Sequence, residues 1–106
     1  MTEQKKSRRQ VLEEFVAQQP FDAFSRYGLA LECMNSGDTD SALQHFHELV
    51  TRNSSYVPAY LMYGQLLARE SRLDEARRIL ALGIEAAGQQ NNSHARSEME
   101  SLLSGL

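Results

Sequence analysis

The chain has 106 residues, 42% apolar and 24% charged, with a net charge of −3, which fits one folded domain and excludes a largely disordered chain. Four of its eleven basic residues (Lys5, Lys6, Arg8 and Arg9) crowd into the first ten positions, so the body is acidic and lacks the basic stripe of a nucleic-acid binder. No stretch approaches the roughly 18 apolar residues of a membrane span, Val11-Leu12-Glu13-Glu14 cannot serve as a signal-peptide core, and the single cysteine excludes an internal disulfide, so a cytoplasmic protein is expected.

Helical periodicity runs through almost every segment and strand-like alternation is absent, which predicts an all-α chain of about six helices after a polar extension over residues 1–7. The first helix is expected over about Arg8 to Gln18, fraying back toward Glu3, with Val11, Leu12, Phe15 and Val16 on one face and a Ser7-x-x-Gln10 capping box. Basic residues at its start oppose the macrodipole and predict a weak first turn. Pro20 stops it. Asp22 is placed to cap the second helix, about Ala23 to Asn35, which has Phe24, Tyr27, Leu31 and Met34 on one side and Leu29, Ala30 and Cys33 on another. Cys33 reads as a small buried apolar residue.

Gly37-Asp38 makes a turn into the third helix, about Thr39 to Arg52, which should bury Ala42, Phe46, Leu49 and Val50 and close at Asn53-Ser54-Ser55. The fourth starts near Val57, with Pro58 tolerated in its first turn, and carries Tyr60, Leu61, Tyr63, Gly64 and Leu67. Ser71-x-x-Asp74 reads as a capping box for the fifth, with Ala76, Ile79, Leu80, Gly83 and Ile84 inward and Gly88 as its left-handed stop. Asn92 or Ser93 then caps a last helix with Ala95, Met99, Leu102, Leu103 and Leu106 on one face. Ser97, Glu100, Ser101 and Ser104 form an outer polar face that suits an end cap.

Ala42-x-x-x-Phe46 and Ala76-x-x-x-Leu80 repeat the same small-then-large step 34 residues apart, the length of one helix-turn-helix unit in a stacked array. Tyr60-x-x-Tyr63-Gly64-x-x-Leu67 followed by Ala76-x-x-x-Leu80 resembles the tetratricopeptide repeat. The preceding unit offers Arg26-x-x-Leu29-Ala30-x-x-Cys33 and Ala42-x-x-x-Phe46, where Arg26 departs from the expected large aromatic and Tyr27 or Phe24 is expected to fill its space. The resemblance implies a right-handed superhelix of antiparallel hairpins: a half unit over 8–20, full units over 23–56 and 57–90, and a capping helix over 92–104.

His45 and His47, two apart, point to different sides of a helix and do not make a metal pair. No nucleophile-base arrangement, phosphate loop or cysteine pair is present, so no enzyme activity, cofactor or metal is expected. Lys5 to Arg9 reads as a solvated turn, with Glu13-Glu14 opposing phosphate; neither nucleic acid nor membrane is an expected partner. The resemblance implies instead that a protein or peptide segment binds in a groove lined by the first helix of each pair: Phe24, Tyr27, Leu31, Met34, Asn35, Leu61, Met62, Gln65, Arg69, Arg96 and Met99. The carboxylate clamp by which some family members hold chaperone tails would fall on Tyr27, Leu31, Met62, Asn92 and Arg96, of which only Arg96 suits a carboxylate, so that mode is disfavoured. The alternative is a structural module that forms a weak homodimer through an exposed end of the stack, such as Leu102, Leu103 and Leu106.

Overall fold

A computed structural model describes residues 5–106, and over them the chain forms helices and no strands. They are α1 (Arg8–Gln18), α2 (Ala23–Asn35), α3 (Thr39–Arg52), α4 (Val57–Arg69), α5 (Leu73–Gln89) and α6 (Ser93–Ser104). The expected fraying toward Glu3 lies outside the described residues. Extents of 56 × 28 × 20 Å are those of a row of hairpins, with α2 lying on α3, α4 on α5 and α5 on α6. α1 lies on α2 as α3 lies on α4, and α6 also reaches α4.

Most helix starts obey local chemistry. Ser7 and Gln10 exchange both hydrogen bonds of a capping box, Asp22 accepts from the Ser25 amide and Asn92 from the Ala95 amide. Asp38, besides making the turn after Gly37, caps α3 by accepting from the Ser41 amide. The start of α5 departs from expectation: its N-cap is Arg72, with no side-chain capping bond, and Arg72 holds Glu75 one turn on through two hydrogen bonds.

Ser71 is unavailable for capping because it sits at φ +60, in the left-handed place that closes α4. Gly37 at φ +85 does the same after α2, and Asn91 at φ +55 after α5. Each turn is sealed by one long backbone bond: Asp38 to the Cys33 carbonyl (2.9 Å), Arg72 to Leu67 (2.9 Å) and Asn92 to Ala87 (2.8 Å). Gly88 is consequently not the left-handed stop expected of it, since α5 runs through it to Gln89 and Asn91 takes that role.

The core follows the repeat. Ala30, Ala42 and Ala76 are fully buried at the helix crossings, and a methyl group on Gly64 would come within 2.5 Å of the Leu80 side chain. Phe46, also fully buried, stacks on Tyr63 at 5.9 Å and meets the edge of Tyr27 at 6.5 Å, while Tyr27 packs against Tyr56 at 5.4 Å. This aromatic series joins α2 and α3 to α4, at its cap through Tyr56 and at its middle through Tyr63.

Arg26, the departure from the repeat pattern, fills its own place. It is buried, with Nη2 donating to the Pro20 carbonyl at 3.2 Å, whereas Phe24 stands exposed and Tyr27 belongs to the aromatic series. Burial, and then the neighbouring Arg52, lower the pKa of this guanidinium. Val50 and Ile84 are half-buried.

The apolar face expected on α1 is only partly used. Val16 is buried and Leu12 half-buried, but Val11 is 52% and Phe15 47% exposed. A polar contact also ties α1 to the stack, Arg9 donating to the Asp38 carboxylate at 2.8 Å, while the exposed Lys6–Glu14 pair at 2.8 Å stays within the α1 segment. Within the basic run Lys5, Lys6 and Arg8 are exposed, and Arg9 is the half-buried member.

Candidate partner-binding trough

Two recesses open beside the first helices of the hairpins, one between α4 and α6 and one between α1 and α2. Between α4 and α6 lies a recess of about 560 Å³ lined by Leu61 and Gln65 from α4 and by His94, Ser97, Glu98, Ser101 and Leu102 from α6. The α6 residues recur at three- and four-residue spacing, which places them along one stripe of the helix. His94 Nε2 lies 2.6 Å from a Glu98 oxygen, so the α6 stripe is polar at His94 and Glu98 and apolar one turn on at Leu102.

Between α1 and α2 lies a second recess, of about 450 Å³ and mostly apolar, lined among others by Val11, Leu12, Phe15, Phe24, Tyr27, Gly28 and Leu31. Arg8 and Asp22 are also in its lining. Phe24 is 76% exposed at the rim. The carboxylate of Asp22 is kept below the usual range by the hydroxyl and backbone amide of Ser25, so it stays charged near neutral pH.

Of the residues expected to line a groove, Phe24, Tyr27 and Leu31 come together in the recess beside α1, and Leu61 and Gln65 in the one beside α6. Met34 and Met62 are partly buried against the core, and the exposed Asn35 and Arg69 end α2 and α4; none of the four lines either recess. Arg96 lies in a separate hollow with Ala87, Gly88 and Asn91 and pairs with Glu100 at 2.7 Å.

Met99 corrects the sequence reading most clearly, because it is fully buried. A methyl group on Gly83 would come within 2.5 Å of both its sulfur and Tyr60 Cβ, so Met99 plugs the junction of α4, α5 and α6. Ser97 and Ser101, assigned to an outer polar face, line the α4–α6 recess. The stripe His94, Ser97, Glu98, Ser101, Leu102 was visible in the sequence, but its mixed polarity concealed which side of α6 it marked.

His45 is half-buried and His47 exposed, with burial, then Arg26 and Arg9, lowering the pKa of His45. Burial raises the pKa of the free thiol of Cys33. No helix among the described residues is long and apolar enough to cross a membrane.

The model of the tetratricopeptide repeat family matches residues 34–97. Among solved structures, the chain is similar to a tetratricopeptide repeat domain protein from Salinibacter ruber solved by NMR: identity is 35%, coverage is 81% of this chain and 87% of that one, and the TM-score is 0.77. A crystal structure of a tetratricopeptide repeat domain protein from the same organism is 34% identical over 79% of this chain and 93% of that one, with a TM-score of 0.75. The type III secretion translocator chaperone SycD of Yersinia enterocolitica shares the fold at a TM-score of 0.83, with 16% identity over 92% of this chain and 68% of that one. No curated protein matches the sequence.

Proposed function

The chain belongs to the tetratricopeptide-repeat family, and from that premise we propose that it is a non-enzymatic adaptor holding a segment of another protein along the side formed by α2, α4 and α6. The observation that carries this reading is the recess between α4 and α6, where apolar Leu61 and Leu102 stand beside Gln65, Ser97 and the His94–Glu98 pair. Such a lining suits an extended or helical segment that buries one or two aliphatic side chains and satisfies nearby polar groups. Phe24, Tyr27 and Leu31 extend the same side toward α1. The proposed compartment is the cytoplasm, in keeping with the buried free thiol of Cys33.

The test is affinity capture with the wild-type chain against Leu61→Ala/Gln65→Ala, both folded by circular dichroism. Loss in the variant of proteins that the wild type retains is the expected result. Equal recovery of every captured protein would count against the recess as the binding site. The alternative, a homodimer through Leu102, Leu103 and Leu106, all half-buried as Leu61 is, would appear in sedimentation as a concentration-dependent dimer that Leu103→Glu dissolves.

A further inference from the structure

In each hairpin the first helix lies on the second, α2 on α3 and α4 on α5. α1 has the register of a second helix, yet among the described residues no first helix lies on it. The 34-residue period shows the consequence position by position. The counterparts of Leu12 are Phe46 and Leu80, and those of Phe15 are Leu49 and Gly83; all four are buried by α2 or α4 and their neighbours. Leu12 is instead half-buried and Phe15 half-exposed, in the groove that they share with Val11, Phe24 and Leu31. Leu31 has Gln65 and Met99 as counterparts, the first exposed and the second fully buried, and is itself half-buried.

The charges at this groove state what a helix lying there must bring. Where α3 and α5 carry the buried Ala42 and Ala76, α1 carries Arg8, with a side chain 79% exposed and its Nε at 3.5 Å from Glu32. At the other end of α1, where the chain turns into α2, stands the Asp22 carboxylate. A helix packed on α1 in the hairpin manner runs antiparallel to it, its C-terminal end beside Arg8 and its N-terminal end beside Asp22. Both charges then complement the helix dipole, and Arg8 can take a carboxylate. An α1 of 11 residues matches an occupant of about three turns.

We propose that the groove between α1 and α2 docks an amphipathic helix of a partner protein, with an apolar stripe over Val11, Leu12, Phe15 and Leu31 and an acidic residue in its last turn facing Arg8. This site goes beyond the α4–α6 recess, because it engages α1, and its occupant takes on α1 the place that α2 has on α3 and α4 on α5.

The test uses end-blocked, fluorescently labelled peptides with the sequence of α4, Val57–Arg69, in its native form and with Ala68→Glu, titrated with the full chain. A saturable rise in anisotropy is expected, tighter for the acidic peptide. Phe15→Glu should weaken binding at least about tenfold, and Val11→Glu serves as a second probe should Phe15→Glu fail to fold. Arg8→Ala should remove most of the preference for the acidic peptide, and Leu61→Ala should leave binding unchanged. Absence of saturation with folded wild type, or equal affinity for wild type and both folded glutamate variants, overturns the proposal. Loss in Leu61→Ala alone places the peptide in the α4–α6 recess and also overturns it, while leaving the adaptor reading standing. A wild-type dimer by sedimentation that Phe15→Glu dissolves makes a second copy the occupant, and the proposal fails.

Discussion

Asp38 performs two tasks with one carboxylate: it caps α3 through the Ser41 amide and receives Arg9 from α1. The hydrogen bonds from Arg9 and then Ser41 hold its pKa below the usual carboxylate value. A carboxylate with a lowered folded pKa stabilises the fold above its unfolded pKa, and that contribution disappears as pH falls through the folded pKa. Asp38→Asn keeps a good capping residue and removes only the charge. Urea unfolding should therefore show the variant less stable than wild type at pH 7, the gap closing well below pH 4, about the unfolded carboxylate value. A gap that persists unchanged into strong acid would show that the charge is irrelevant. Ser7, Asp22 and Asn92 were legible as caps because a cap depends on residues three apart. The pairing of Asp38 with Arg9 was not, because it joins residues 29 apart in sequence.

At the scale of elements, the three turns with a left-handed residue are one device built on Gly37, Ser71 and Asn91. Glycine occupies that conformation without strain, asparagine tolerates it, and serine is strained there. Ser71→Gly should stabilise the chain by about 0.5 kcal/mol, the relief of strain exceeding the added freedom of the unfolded chain. Gly37→Ala should cost about 1 kcal/mol by the same reasoning. Thermal melts of the two variants should move in opposite directions, and a fall in both midpoints would refute the shared role of these places. Reading Ser71 as a helix start and Gly88 as a helix stop relied on residue preference alone. The competing demand was the backbone bond between turns, which set Ser71 and Asn91 in the left-handed places and left Gly88 inside α5.

Over the whole molecule, burial is greatest in the middle of the stack and least at its ends, where α6 buries Met99 alone. α4 buries seven residues, from Val57 to Leu67, whereas α1 buries Val16 alone. In a stack each hairpin relies on its neighbours, and the element with the fewest apolar contacts opens first. Hydrogen exchange should show α1 amides exchanging through local opening while those of α4 persist until global unfolding; uniform protection across all six helices would contradict this gradient. A helix bound on Phe15 should also slow exchange in α1 selectively.

The sequence by itself determined the six helices, their period and the small residues at their crossings, since these depend on spacing within a few turns and recur every 34 residues. It also placed Phe24, Tyr27, Leu31, Leu61 and Gln65 at the recesses, because a repeat carries position from one unit to the next. Tertiary structure alone decided between the two places the sequence offered Met99, the apolar face of α6 and the groove, and decided that Ser97 and Ser101 line a recess and that Val11 and Phe15 stay exposed. Helical periodicity identifies an apolar side, but whether that side is covered depends on the neighbouring hairpin. That neighbour is present for α6, and among the described residues it is lacking for α1.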